Sequence, residues 1–136
     1  MNVFFDNCCS PALASTLNGY ISHSGHRACH IADLPCGRHA ADEEWIAMLA
    51  EDDGHWIVIT GDYRIYRNKA QRAAFRASGL SGFVLAPAYQ KTPIYQQASI
   101  LLWRWPDMEK LMGWRAGCTN CGSAAPAGSS HFRCKL

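Results

Sequence analysis

The sequence predicts a single α/β domain: a central, mainly parallel sheet with helices on both faces. Three observations lead there. Short apolar runs alternate with helix-like stretches in the order β-α-β-α-β-α-β-α. The run Trp56-Ile57-Val58-Ile59-Thr60 has the near-continuous apolar character of a central strand covered on both sides. The length, 136 residues, suits one domain.

The elements follow in order. Asn2 to Phe5 reads as a short buried strand. Ser10-Pro11 opens a helix, with Ser as N-cap and Pro at the first helical position, and Asn18-Gly19 marks its end. Leu13 and Leu17 share one face of it. Arg27 to Ile31 is a second strand, and Leu34 to His39, with Pro35 and Gly37, is loop. Asp42 caps a second helix to about Glu51, with Ile46, Leu49 and Ala50 at helical spacing. Trp56 to Thr60 is the clearest strand. Asn68 to Ala77 is a third helix, ended by Ser78-Gly79, and Phe83 to Leu85 a fourth strand. Thr92-Pro93 opens a longer helix that Pro106 breaks or kinks.

Composition changes after Trp114. Residues 115–136 form a tail rich in Gly, Ala, Ser and Cys, separate from a domain over residues 1–114; Phe132 to Leu136 is at most a short edge strand. Cys118, Cys121, His131 and Cys134 offer four zinc-type ligands, at a spacing that fits no common finger. Seven cysteines, an odd number, together with no export-type segment, favour reduced thiols in a cytoplasmic protein. Cys29 reads as a small buried hydrophobe. No apolar run approaches the roughly 20 residues that span a bilayer, so no membrane association is expected. Net charge is +2, too small to imply general coating of polyanions. Placement matters more, because Arg64, Arg67, Lys69, Arg72 and Arg76 fall close together.

Three acidic groups carry the chemistry: Asp6 after the first strand, Asp42-Glu43-Glu44 at the second helix, and Asp62 after the central strand. Ligands in open α/β sheets bind beyond the carboxyl ends of the strands. Carboxylates gathered there are hard oxygen ligands suited to Mg²⁺ or Mn²⁺. Each also has a structural explanation: an Asx turn for Asp6, a turn at Gly61-Asp62, and N-capping with a favourable helix dipole for Asp42 and Glu43. Asp6 and Asp62 converge only if their strands are adjacent.

Phe4-Phe5-Asp6-Asn7 with Ser10-Pro11, Asp42-Glu43-Glu44-Trp45-Ile46, and Val58 through Ile65 resemble the PIN-like nucleases. The closest likeness is to the VapC-type toxin branch of bacterial toxin–antitoxin modules. The stretch Arg67 to Phe75, and Gln96, Gln97 and Arg104-Trp105-Pro106 in the late helix, add to it. The resemblance implies a three-layer α/β/α domain with metal-dependent endoribonuclease activity. Asp6, Asp42 (or Glu43) and Asp62 would hold Mg²⁺ or Mn²⁺, with Arg64, Arg67 and Asn7 on the RNA. It also implies a protein antitoxin over the cleft; dimers are common among toxins of this kind. In one respect the chain departs from the pattern: Arg64 stands where many PIN-like sequences carry a further acid. That substitution suits either a guanidinium on the scissile phosphate or a non-catalytic module that binds RNA or protein without cutting.

Overall fold

A computed structural model describes residues 1–113 and 132–135. The elements are β1 (Asn2–Phe5), α1 (Pro11–Ile21), β2 (Arg27–His30), α2 (Asp42–Glu51), β3 (Trp56–Thr60), α3 (Tyr63–Arg67) and α4 (Lys69–Ala77). They continue with β4 (Ser81–Leu85), α5 (Pro87–Gln90), α6 (Ile94–Leu111) and β5 (Phe132–Lys135). The sheet runs β2-β1-β3-β4-β5, with the first four strands parallel and β5 antiparallel on β4. The α/β architecture with a mainly parallel sheet is therefore as expected. The proposed zinc ligands Cys118, Cys121 and His131 lie outside the described residues, as does the Trp114 boundary.

Side-chain alternation along the strands builds two apolar layers. Val3 and Phe5 of β1, Ile57 and Ile59 of β3, and Phe83 and Leu85 of β4 pack with Leu13 and Leu17 of α1 and Leu101 and Trp105 of α6. Phe4 and Val58 point to the opposite face, among Trp45 and Leu49 of α2, Ile65 of α3 and Phe75 of α4. There Phe4 stacks on Trp45 with ring centroids 4.9 Å apart. Burying a side chain of this size contributes roughly 1.5–3 kcal/mol. The result is three layers, α/β/α.

Several boundaries differ from expectation for local reasons. Helix α1 begins as predicted, with the Ser10 hydroxyl accepting from Ala12 N–H at 3.3 Å, but runs through Asn18 and Gly19 to Ile21. The Asn18 amide oxygen does not end the helix; it accepts from Ala28 N–H at 3.0 Å and ties α1 to β2. Asp42 does not cap α2: Ala41 is the N-cap, and Asp42 is the first helical residue. Strand β2 stops at His30, because Ile31–Asp33 forms a 3-10 turn capped by the His30 ring. Asn68 caps α4 rather than belonging to it, its side chain accepting from Ala70 and Gln71 N–H. Helix α4 ends at Ser78-Gly79 as expected, Gly79 taking the left-handed conformation (φ 72°) that side chains avoid. Helix α6 continues through Pro106 to Leu111. Helices α3 and α5 carry no clear signal in the sequence and were not anticipated.

Candidate phosphodiester site at the strand ends

Strands β1 and β3 are direct neighbours, with Phe5 opposite Ile59, so the residues that follow them open on one edge of the sheet. Asp6 N–H donates to Ile59 C=O at 3.2 Å and extends that pairing by one step. Asp6 itself is buried. Its Oδ1 accepts from Cys8 N–H at 3.1 Å, which is the Asx turn that the sequence suggested. Its Oδ2 accepts from the Thr60 hydroxyl. The Thr60 oxygen in turn accepts from Asp62 N–H at 2.9 Å. One buried threonine therefore couples the ends of two strands.

The turn after β1 is held from several sides. Cys9 N–H donates to Asp6 C=O at 3.0 Å, and the His30 ring, in contact through Nε2, donates to Cys9 C=O at 3.0 Å. On the other flank Gln90, from α5, donates through Nε2 to Gly61 C=O at 2.9 Å and to Leu85 C=O at 3.0 Å. It ties the Asp62 turn to the end of β4. Gly61 has to be small here: a Cβ would come within 2.9 Å of Gln90 Oε1 and 3.1 Å of Cys8 Cβ.

Asp62 is the N-cap of α3. Its Oδ1 accepts from Arg64 N–H at 2.7 Å. The Arg64 side chain curls back onto the same carboxylate, with Nε 2.9 Å and Nη2 2.8 Å from Oδ2. Arg64 is 83% exposed, so the pair faces solvent on its cationic side. These environments push the two aspartates in opposite directions. Burial raises the pKa of Asp6, against opposing hydrogen bonds from Thr60, Cys9 and the backbone. The Arg64 hydrogen bond lowers that of Asp62.

The remaining candidates are placed more loosely. Asp42 Oδ1 accepts from Trp45 Nε1 at 3.3 Å, and its charge acts on both Cys8 and Arg64. Glu43 and Arg67 are exposed. Asn7 is exposed and donates to Arg38 C=O at 3.3 Å. Asp42, Arg64, Arg67, Asn68 and Gln71 line a cavity of about 520 Å³. Cys8 is no ready nucleophile, because burial, followed by the charges of Asp6 and Asp62, pushes its thiol up to about 11.

A divalent ion was expected from Asp6, Asp42 and Asp62. Among the described residues, no three His, Cys, Asp or Glu side chains are gathered closely enough to hold a metal. The reason is visible in the partners: Thr60 and Cys8 hold Asp6, Arg64 holds Asp62, and Trp45 engages Asp42. In this arrangement the three acids form no ready-made cage for the ion. The sequence reading missed Thr60 and Gln90. Thr60 looks like an ordinary β-forming residue, and Gln90 reaches Gly61 from 29 positions away.

Adjacent parallel strands followed by aspartates, beside an arginine-lined cavity, make an α/β domain with a polar site at the carboxyl edge of its sheet. The family model described as a PIN like domain matches residues 1–87, and the chain belongs to that family. Neither the curated proteins nor the solved structures contain a match to it. Among the described residues, no helix is long and apolar enough to cross a membrane.

Proposed function

We propose that this PIN-like protein is an endoribonuclease that hydrolyses RNA phosphodiester bonds in the cytoplasm, as the toxin of a type II toxin–antitoxin pair. The observation that carries the nuclease reading is the placement of Asp6 and Asp62 on adjacent strand ends with Arg64 and Arg67 beside them. Arg64 supplies a planar guanidinium suited to two-pronged contact with a phosphate. Arg67 and Asn7 hold the flanking backbone. Asp62, favoured as the anion, orients and deprotonates the attacking water, and Asp6, whose protonated form burial favours, serves as the proton donor. Two carboxylates with pKa values pushed apart suit a division of labour in proton transfer. The requirement for Mg²⁺ or Mn²⁺, with Asp42 or Glu43 as a third acid, rests on the VapC-type resemblance, as do the antitoxin over the cleft and a homodimer. No step is derived through the ion, since the carboxylates form no cage for it.

The test is cleavage of single-stranded and structured RNA with Mn²⁺, Mg²⁺ or EDTA, with Asp62→Asn and Asp6→Asn proteins run in parallel. Cleavage by the wild type that both variants lose supports the reading. Equal cleavage by all three means a contaminating nuclease. One observation favours a second reading, a PIN-like module that binds RNA or a protein without cutting it: Arg64 neutralises the carboxylate that catalysis would use. RNA binding without cleavage under every metal condition would select it.

A further inference from the structure

A second cavity adjoins the arginine-lined one. Its volume is about 340 Å³, and it lies between α2 and α4, floored by Ile46 and Ile65 and walled by Ala47, Ala70 and Ala74, with the Glu43 carboxylate also on its lining. Asp42 and Gln71 line both cavities, so they stand where the polar space meets the apolar one. Gln71 Oε1 is buried and has no hydrogen-bond partner among the described residues. A buried amide oxygen without a donor costs roughly 1–3 kcal/mol, so Gln71 gains by turning that oxygen to a ligand donor in the cavity it lines. The Trp45 indole engages only Oδ1 of Asp42.

We propose that this slot is a nucleobase subsite, with guanine as its preferred occupant, for the nucleotide whose phosphate lies on Arg64 and Arg67. The inference rests on the phosphodiester reading above. Charge complementarity orients the ligand: two exposed guanidinium groups line the neighbouring cavity and suit its phosphate, whereas the slot holds apolar side chains and the acceptors Asp42, Glu43 and Gln71. A planar base buries its faces between the alanine walls, and its polar edge meets acceptors only, the carboxylates of Asp42 and Glu43 and the amide oxygen of Gln71. Guanine alone among the four bases carries two adjacent donor positions on its Watson–Crick edge, N1–H and the N2 amino group. Adenine and cytosine would turn a ring acceptor toward Asp42, and uracil offers a single N–H.

The experiment is calorimetric titration of the full-length protein with GMP, AMP, CMP, UMP and ribose 5-phosphate, in EDTA. GMP should bind at least about tenfold more tightly than AMP or ribose 5-phosphate, the scale of one good paired base contact. Gln71→Ala should remove most of that preference. Ala74→Phe, which fills the slot from an exposed helix position, should bring GMP down to the affinity of ribose 5-phosphate. Arg67→Ala should weaken all five ligands alike. GMP binding no tighter than ribose 5-phosphate in the wild type overturns the subsite and needs no variant to fold. GMP affinity unchanged in folded Gln71→Ala and Ala74→Phe also overturns it. Failure of the two proposals is separable: RNA cleavage without base preference removes the subsite and leaves the nuclease. Tight GMP binding with no cleavage of any RNA does the reverse.

Discussion

Asp6 and Asp62 occupy neighbouring positions on the same edge of the sheet, one residue past β1 and two past β3. Their environments are nonetheless opposite. Asp6 is buried behind Thr60 and the Cys8-Cys9 turn, and burial favours its protonated form. Asp62 sits at the mouth, where the Arg64 hydrogen bond favours its charged form. Residue type and sheet edge are the same; the neighbours shift the two groups in opposite directions. Burial thus favours the protonated form of one carboxyl group and the Arg64 hydrogen bond the charged form of the other, while the Thr60 hydroxyl joins the Asp6 side chain to the backbone N–H of Asp62.

The strongest way to break this comparison is to remove either acid and read activity. Asp62→Asn and Asp6→Asn should each lower RNA cleavage by about a hundredfold or more, the scale of losing a positioned proton-transfer group. A variant that keeps near-wild-type cleavage would take its aspartate out of the chemistry. The next effect is on stability. Thr60→Val deletes the hydroxyl that donates to Asp6 and accepts from Asp62 N–H. It leaves two buried polar groups unpaired, at a cost of about 2 kcal/mol or more, measured by urea unfolding. A shift near zero would mean that the relay is not formed in solution.

Acid titration sharpens the contrast, because the two signs differ. Asp6 has a raised pKa in the folded state, so its contribution is fully present below its ordinary value of 3.8 and is lost as pH rises through the folded value. Asp6→Asn should therefore gain on the wild type as pH is raised from acid to neutral. Asp62 has a lowered pKa, so its contribution is present above 3.8 and lost as pH falls through the folded value. Asp62→Asn should lose its deficit in strong acid. Parallel stability–pH curves for the two variants would refute the opposite shifts. The smallest effects come last. Gly61→Ala forces Gln90 aside and should cost about 1 kcal/mol, one hydrogen bond's worth. Arg64→Ala should lower the unfolding midpoint only slightly, less than Asp62→Asn does, since an ion pair with one exposed partner adds little.

How much of this the sequence disclosed depends on the range of the interaction. Strands β1 and β3 were legible because Val3 to Phe5 and Trp56 to Thr60 are continuous apolar runs, and the parallel order placed Asp6 and Asp62 on one edge. The start of α1 was legible from Ser10-Pro11, a purely local signal. Asp42 was misread as a cap because helix starts favour that residue type, whereas its side chain turns to Trp45 three residues on. Short α3 escaped notice because Asp62 resembled a simple turn former; its capping bond to Arg64 N–H is what starts the helix. The Arg64 grip on Asp62, the Thr60 relay and the Gln90 brace arise from side-chain directions that one-dimensional spacing does not encode.

The placing of β5 has a consequence for how the chain assembles. Strand β4 pairs with β3 on one side and with β5 on the other, but β5 follows only after α5 and α6. During synthesis on the ribosome, the four parallel strands can therefore form while the outer margin of β4 still presents unpaired backbone groups. Such a margin is a template for another strand, including one from a neighbouring nascent chain. Closing it needs a contact that is distant in sequence and correspondingly slow. The pairing of β5 with β4 covers that margin with the last strand of the chain to emerge.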